Sequence, residues 1–367
     1  MTAPVVVSPP ETRETVGWTG TVIDADVHAS LTSLDQVKPF LAPHWVEFIE
    51  DRGFHRPMGI DVTYPPNSPT TVRDEWRPGD GRGAASDLSL LQSQALDPWG
   101  SEKAVLTCYH AVDSIRHPDF AGALAAAIND WVIEDWLSKD SRLVASMTVP
   151  ARDPFAAARE IDRVGDHPQI VQVLMGVRSD RLYGRRDWYP LMEALIRHDL
   201  VFGLHYGGTA DGPPSPTGWA SWFLEETVAE VQVYAAQLTS LLAEGAFQKF
   251  PDLRVAVLEG GFTWLSPLLW RIDKDLKGLR RDVPWVTESA SELVRRHMRF
   301  STAPLDRMPV DELARCLEWL GTDDLLMFAT DYPHGSAGSV ATLLEAAPDS
   351  MRPNLMAETA RAFYRLG

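Results

Sequence analysis

Thr21-Val22-Ile23-Asp24-Ala25-Asp26-Val27-His28 passes directly from a β-branched apolar run into carboxylates and an imidazole. Val22 and Ile23 read as a short buried strand, and the period of two along a strand puts Asp24, Asp26 and His28 on one side. A strand ending in Asp-x-His offers two ligands to a single ion. The same stretch also reads as an ordinary strand-to-loop turn with a capping Asp, so the choice between the two rests on the other strand ends.

Downstream, Ala29 to Gly100 carries many prolines (Pro39, Pro43, Pro57, Pro65, Pro66, Pro69, Pro78) and little sustained periodicity. A structureless loop of that length is improbable inside a domain, so residues 29–100 are expected to form an insertion, or lid, of short helices over a site, with Leu34–Asp51 as one helix. A regular rhythm then begins. Strands are expected at Lys103–Cys108, Arg142–Val149, Ile170–Met175, Leu200–His205, Leu253–Glu259, His297–Ser301 and Leu325–Asp331. Between them the helices are Phe120–Leu137, Pro154–Val164, Trp188–Arg197, one or two within Ser221–Phe247, Trp264–Lys277 and Val310–Leu320. With Val22–Asp26 as the first strand, eight apolar strands alternating with amphipathic helices make parallel βαβ units, which close most naturally into a (β/α)8 TIM barrel. The competitor is an open doubly wound sheet, and no Gly-x-Gly-x-x-Gly follows the first strand to support it.

The bulk properties agree with one such domain spanning residues 1–367. The chain has 367 residues, and barrels of this kind commonly run past about 250. A formal charge of −17 repels nucleic acid and anionic membranes, neither of which is an expected partner. The two cysteines, Cys108 and Cys316, give no disulfide framework, which suits a reducing cytoplasm. Met1–Trp18 lacks the apolar core of a signal peptide and is expected to be a flexible tail. A small molecule is the expected partner, with a homodimer left open.

In a TIM barrel the chemistry sits at the C-terminal strand ends. There the first strand ends in Asp26-Val27-His28, the fifth in His205-Tyr206-Gly207-Gly208, the sixth in Glu259-Gly260-Gly261 and the eighth in Asp331-Tyr332-Pro333-His334. Singly, each has a structural reading: a satisfied core imidazole, a helix cap or a loop residue. Four ends of one barrel carrying such groups point instead to a single divalent ion, zinc first and manganese as the alternative.

These residues resemble the amidohydrolase superfamily, and within it the branch containing aminocarboxymuconate-semialdehyde decarboxylase and the resorcylate-type decarboxylases. The resemblance runs from Ile23-Asp24-Ala25-Asp26-Val27-His28 through Phe250-Pro251-Asp252-Leu253-Arg254 to Phe328-Ala329-Thr330-Asp331-Tyr332-Pro333-His334. It implies a metal-dependent TIM barrel in which Asp26 and His28 form the first-strand ligand pair, His205 is the fifth-strand ligand, and Asp331 is the eighth-strand carboxylate that binds metal and moves protons. Two departures stand out. The first-strand pair is usually His-x-His or Glu-x-His, and the sixth-strand acid/base histidine of the decarboxylases is replaced by Glu259.

The first functional reading is accordingly a hydrolase of a small aromatic or cyclic substrate, in which the ion activates water and Asp331 or Glu259 accepts its proton. The alternative is a non-oxidative decarboxylase of an aromatic or unsaturated acid, with Asp331 as proton donor and His334 in place of the missing histidine. A non-catalytic barrel is the third. Trp76, Trp99, Trp219, Trp222 and Tyr206 fall in segments expected to roof the mouth, and Arg178, Arg73 and Arg77 are candidate partners for a substrate carboxylate.

Overall fold

The computed structural model describes residues 9–54, 72–108, 112–208, 215, 217–335 and 338–367. Its strands are β1 Ile23–His28, β2 Lys103–Thr107, β3 Leu143–Thr148, β4 Ile170–Arg178, β5 Val201–Gly208, β6 Val255–Val257, β7 Met298–Ser301 and β8 Leu326–Met327. They pair in parallel and in chain order within one 8-stranded sheet. The last strand returns to the first: the Ala25 amide donates to the Phe328 carbonyl (2.8 Å), the Asp331 amide to that of Asp26 (3.1 Å) and the His28 amide to that of Tyr332 (2.9 Å). The result is the (β/α)8 barrel that the alternating pattern implies.

Near-continuous apolar runs become these strands because a parallel sheet is covered on both faces; every residue of β3, for example, is buried. The covering helices begin where local chemistry dictates. Asp153 accepts hydrogen bonds from the amides of Phe155 and Ala156 (both 3.0 Å), and Pro154, which has no N–H to lose, occupies the first turn of Pro154–Val164. The region Ser221–Phe247 resolves into two helices, Phe223–Ala243 and Ala246–Lys249.

At the other end of the chain, the helix Thr359–Tyr364 seals the N-terminal end of the barrel. The Tyr364 hydroxyl donates to Gln172 Oε1 in β4 (2.9 Å), Arg254 ahead of β6 donates to the Phe363 carbonyl, and Arg299 of β7 lies 5.4 Å from the Phe363 ring centre. One short helix thus ties three strands.

The structure departs from the sequence reading in four places. Leu34–Asp51 is broken into the 3-10 turns Leu34–Gln36 and Lys38–Phe40 and the α-helix Pro43–Arg52, because Pro39 and Pro43 each lack the amide a continuous helix requires. β6 and β8 stop short of the expected Glu259 and Asp331, both of which have positive φ. The helices Ala290–His297, Val340–Ala346 and Thr359–Tyr364 were not expected; they are short, and the first is largely polar. The N-terminal tail is docked from residue 9 onward. The Glu11 carboxylate accepts from Ser339 Oγ (2.8 Å) and the Val340 amide (2.6 Å), while the Arg13 amide donates to the Pro98 carbonyl (3.1 Å). Residues 1–8 and 55–71 lie outside the described residues.

The long helix Phe223–Ala243 carries a carboxyl into the core beside the ends of β4 and β5. Glu230 is 3 % exposed, and burial, against the counter-pull of Arg178, raises its pKa from the usual 4.5 to about 7. The fold therefore favours its neutral form. That contribution to stability is complete below pH 4.5 and is lost as pH rises through 7, by up to about 3 kcal/mol. Urea unfolding at pH 5 and pH 8 is expected to show this fall in the parent and a shallower one in Glu230→Gln. Identical pH slopes would refute the assignment.

Candidate metal centre

β1 delivers Asp26 and His28, β5 delivers His205, Glu259 follows β6, and Asp331 and His334 follow β8. The period of two accounts for the first pair. Glu259 and Asp331 arrive differently, at φ of 54° and 53°, a left-handed conformation that costs a non-glycine residue roughly 1–3 kcal/mol. It turns the chain off the strand and aims each carboxylate into the barrel. Around Glu259 the turn is braced from three elements: its amide donates to Ser301 Oγ (3.1 Å), the Tyr234 hydroxyl donates to the Leu258 carbonyl (2.5 Å), and Trp264 Nε1 donates to the Gly260 carbonyl (2.7 Å).

All six groups converge. His28 Nε2 lies 3.2 Å from Asp331 Oδ1, 3.2 Å from Glu259 Oε1 and 3.6 Å from Asp26 Oδ1. His205 Nε2 is 3.5 Å from Asp26 Oδ2, and its Nδ1 is 3.4 Å from Glu259 Oε2 and 2.9 Å from the Tyr206 carbonyl. His334 Nε2 stands 3.9 Å from Glu259 Oε1. Two overlapping sets, Asp26/His28/His205/Glu259 and His28/Glu259/Asp331/His334, each hold their ligand atoms within 4.8 Å of one another. Donors bound to one ion at ~2.1 Å stand roughly 3.4 Å apart in a tetrahedron, so the spacing fits. A further sign lies in Asp26, which is fully buried. Its Oδ1 accepts from the Thr107 hydroxyl (2.6 Å), but its Oδ2 has no hydrogen-bond partner, and a buried carboxylate oxygen left in that state is costly without a cation.

The charges perturb one another strongly. Burial drives the Glu259 carboxyl well above its usual range, and the charge of Asp331 adds to the effect. For Asp331, burial is outweighed by His334 and His28 and by the hydrogen bond it shares with Glu259, which together hold it low. The two carboxyls are thus pushed in opposite directions, Glu259 up and Asp331 down. Burial pulls His205 down, but Glu259 and Asp26 more than reverse this and bring it to about 9. His28 is likewise raised against burial, by Asp26 and Asp331.

The remaining sequence candidates fall elsewhere. Asp24 does not join the cluster; it accepts from the Thr330 hydroxyl (2.6 Å) and amide (3.1 Å), and so fastens β1 to the segment after β8. Arg178 Nη1 is 2.9 Å from Glu226 in a largely buried ion pair, so a carboxylate of the chain itself occupies it. Tyr206 contributes its carbonyl to His205. Trp219 and Trp222 are 59 % and 73 % exposed and do not line the cavity of about 530 Å³ that opens beside His334, whereas Trp76, Trp99 and Arg73 do. Thr107, Ser301 and Tyr234 were missed. In sequence they are common residue types, and the one signal available was that Thr107 and Ser301 sit at strand ends.

A family model described as amidohydrolase matches residues 23–366. Among curated proteins, the chain is 24% identical over 273 residues to gamma-resorcylate decarboxylase of Rhodococcus jostii, covering 71% of this chain and 82% of that enzyme. It is 26% identical over 200 residues to the enzyme of the same name from Polaromonas sp., covering 52% of this chain and 61%, less than two thirds, of that one. A crystal structure of dihydroxybenzoic acid decarboxylase from Polaromonas sp., with bound manganese and the inhibitor 2-nitroresorcinol, superimposes with a TM-score of 0.66 at 19% identity, covering 95% of this chain and 98% of that one. These relatives are named for decarboxylation. They therefore favour the alternative over the hydrolase that the sequence reading placed first.

Removing the Thr107 hydroxyl leaves Asp26 Oδ1 without its donor, and such outer partners are worth about 10–100-fold in metal affinity. Thr107→Val is expected to weaken manganese binding at least tenfold in chelator competition with the fold intact by circular dichroism; unchanged affinity would remove Thr107 from the site. Ion uptake is also expected to expel protons, because an imidazole ligates only when neutral while His205 stays protonated up to about pH 9. Affinity should climb from pH 6 to pH 9, and calorimetry in buffers of different ionisation enthalpy should register the released protons. Uptake without proton release would contradict these charge states.

Proposed function

The chain belongs to the amidohydrolase family, and from that premise we propose that it is a metal-dependent, non-oxidative decarboxylase of a hydroxylated aromatic acid. The observation that carries this reading is the largely buried carboxyl pair Glu259 and Asp331, each with an oxygen 3.2 Å from His28 Nε2, with His334 Nε2 3.9 Å from Glu259 Oε1. Decarboxylation needs a proton donor held dry beside the substrate. The replacement of the family's sixth-strand imidazole by Glu259 argues against that role only if the carboxyl is ionised, and burial opposes ionisation.

In this proposal Asp26, His28, His205 and Asp331 hold the ion. A bound divalent ion supplies a Lewis-acidic anchor for the substrate's carboxylate and adjacent hydroxyl. A donor set of imidazoles and carboxylates without sulfur suits manganese as well as zinc, and the manganese of the Polaromonas structure tips our preference to manganese. Glu259 keeps the proton out of water, and Asp331 delivers it to the ring carbon that bears the carboxylate. The bond from that carbon to the carboxylate then breaks, its electron pair returns to the ring, and carbon dioxide leaves. One proton enters and one carbon dioxide departs, with no water or redox partner consumed. His334, on the cavity side, is placed to return a proton to the pair. Water activation by a carboxylate base at Glu259 is the second reading, and the residue's identity is what favours it.

The manganese-loaded protein is expected to release carbon dioxide from hydroxybenzoates. A positioned acid contributes about 10²–10⁴-fold, so Asp331→Asn and Glu259→Gln should each lower kcat by at least 10²-fold while the fold persists. Hydrolysis of lactones or activated esters, with carbon dioxide release at background across a hydroxybenzoate panel, would reinstate the hydrolase.

A further inference from the structure

The cavity beside His334 measures about 530 Å³, and pockets of ~300–1,000 Å³ take ligands of drug size. A single-ring hydroxybenzoate anchored among the six converging groups would leave most of it empty. Its walls are apolar along Trp76, Leu305, Met308 and Val340, and cationic at Arg73 and Arg307. The docked residues Pro9, Pro10 and Glu11 complete one side, so a segment outside the barrel shapes the space.

The two arginines occupy different places. Arg73 stands near the candidate centre, where its amide donates to the Pro333 carbonyl (3.3 Å) and its guanidinium lies 5.4 Å from the Trp76 ring centre. Arg307 lies on the loop between β7 and the helix Val310–Leu320 and is exposed, which puts it at the rim. It makes no ion pair or hydrogen bond among the described residues, and the adjacent Asp306 is engaged by the Thr263 hydroxyl. On a chain of charge −17 that discourages anions overall, an uncommitted guanidinium at a cavity mouth selects for one. Its planar fork suits a carboxylate.

Building on the decarboxylase reading, we propose that the substrate is a two-ring aromatic acid whose second ring fills this cavity and carries an anionic group toward Arg307. The near ring presents its carboxylate and hydroxyl to the centre, and the second ring runs along Trp76 and Met308. The far anion meets Arg307 where it is still partly hydrated, so it binds without the penalty of full burial.

The test uses the full chain loaded with manganese and calorimetric titration with three acids: salicylate, salicylate bearing a phenyl ring para to its hydroxyl, and the same biaryl with a second carboxylate at the far para position. The dicarboxylate is expected to bind at least about tenfold more tightly than salicylate. Arg307→Ala is expected to cut the preference for the dicarboxylate over the monocarboxylate biaryl about tenfold, and Arg307→Lys to restore part of it. Binding of salicylate with equal or weaker binding of both biaryls overturns the cavity assignment and leaves the decarboxylase reading in place. A dicarboxylate preference that survives Arg307→Ala overturns the role of Arg307. If none of the three acids binds, the proposal falls together with the reading beneath it.

Discussion

Three carboxylates and three imidazoles, buried or half-buried, converge at the mouth of the barrel in two overlapping sets, and the cost of their desolvation is the constraint to which the surrounding structure is fitted. A buried charge with no partner costs several kcal/mol, so every member must be matched by a neighbour, a proton or a cation. His28 is placed against three carboxylates at once, burial pushes Glu259 up while the neighbouring histidines hold Asp331 low, and Asp26 Oδ2, 3.5 Å from His205 Nε2, has no hydrogen-bond partner. Bringing the carboxylates in requires two left-handed residues. That strain is small beside the charge energies, and it explains why β6 and β8 are the shortest strands, with 3 and 2 residues: their ladders end early so that the chain can turn inward.

Patterns of period two and of helical spacing carried the barrel and most of its elements, and the polar strand ends carried all six converging groups. What sequence withheld was of two kinds. The sign of φ at Glu259 and Asp331 leaves no mark in residue identity, because only glycine advertises left-handed backbone, and so both strands were read as running on through their terminal carboxylate. Long-range polar contacts are equally silent. Glu11 caps a helix that begins at Val340, and Thr107 meets Asp26 across 81 positions; neither pairing has a local signature. The single helix expected at Leu34–Asp51 is broken for a reason legible in the sequence, since Pro39 and Pro43 each lack the amide that a continuous helix requires.

Glu259 shows how far a side chain's identity falls short of its chemistry. As a residue type it is an acceptor at neutral pH, and on that ground water activation ranked first. Enclosed beside Asp331, the same carboxyl is pushed well above its usual range, toward the protonated form that a proton donor needs and a hydrolytic base must not have. The hydrogen bond that the Glu259 amide donates to Ser301 Oγ and the one that the Tyr234 hydroxyl donates to the Leu258 carbonyl brace the turn that carries this carboxyl. A change at either brace acts on the carboxyl through geometry.

The barrel and the segments around its mouth also divide the work. The N-terminal end is closed by Thr359–Tyr364, bound to β4, β6 and β7 through side chains remote from the mouth. The mouth is bounded by pieces distant in sequence that are fastened to one another: Glu11 to the helix at Val340, Arg73 to Pro333, and Gln94 to the Tyr332 hydroxyl (2.7 Å). The strand ends supply the charges of the candidate centre. The tail, the insertion and the loop after β7 wall the cavity, through Pro10 and Glu11, Arg73 and Trp76, and Arg307 and Met308 respectively. Because Pro333 and Tyr332 lie between Asp331 and His334 in the chain, the insertion is anchored on the loop that bears two of the six converging groups. The cavity wall and the converging charges meet there, so a substitution in the insertion that shifts this loop moves Asp331 and His334 with it.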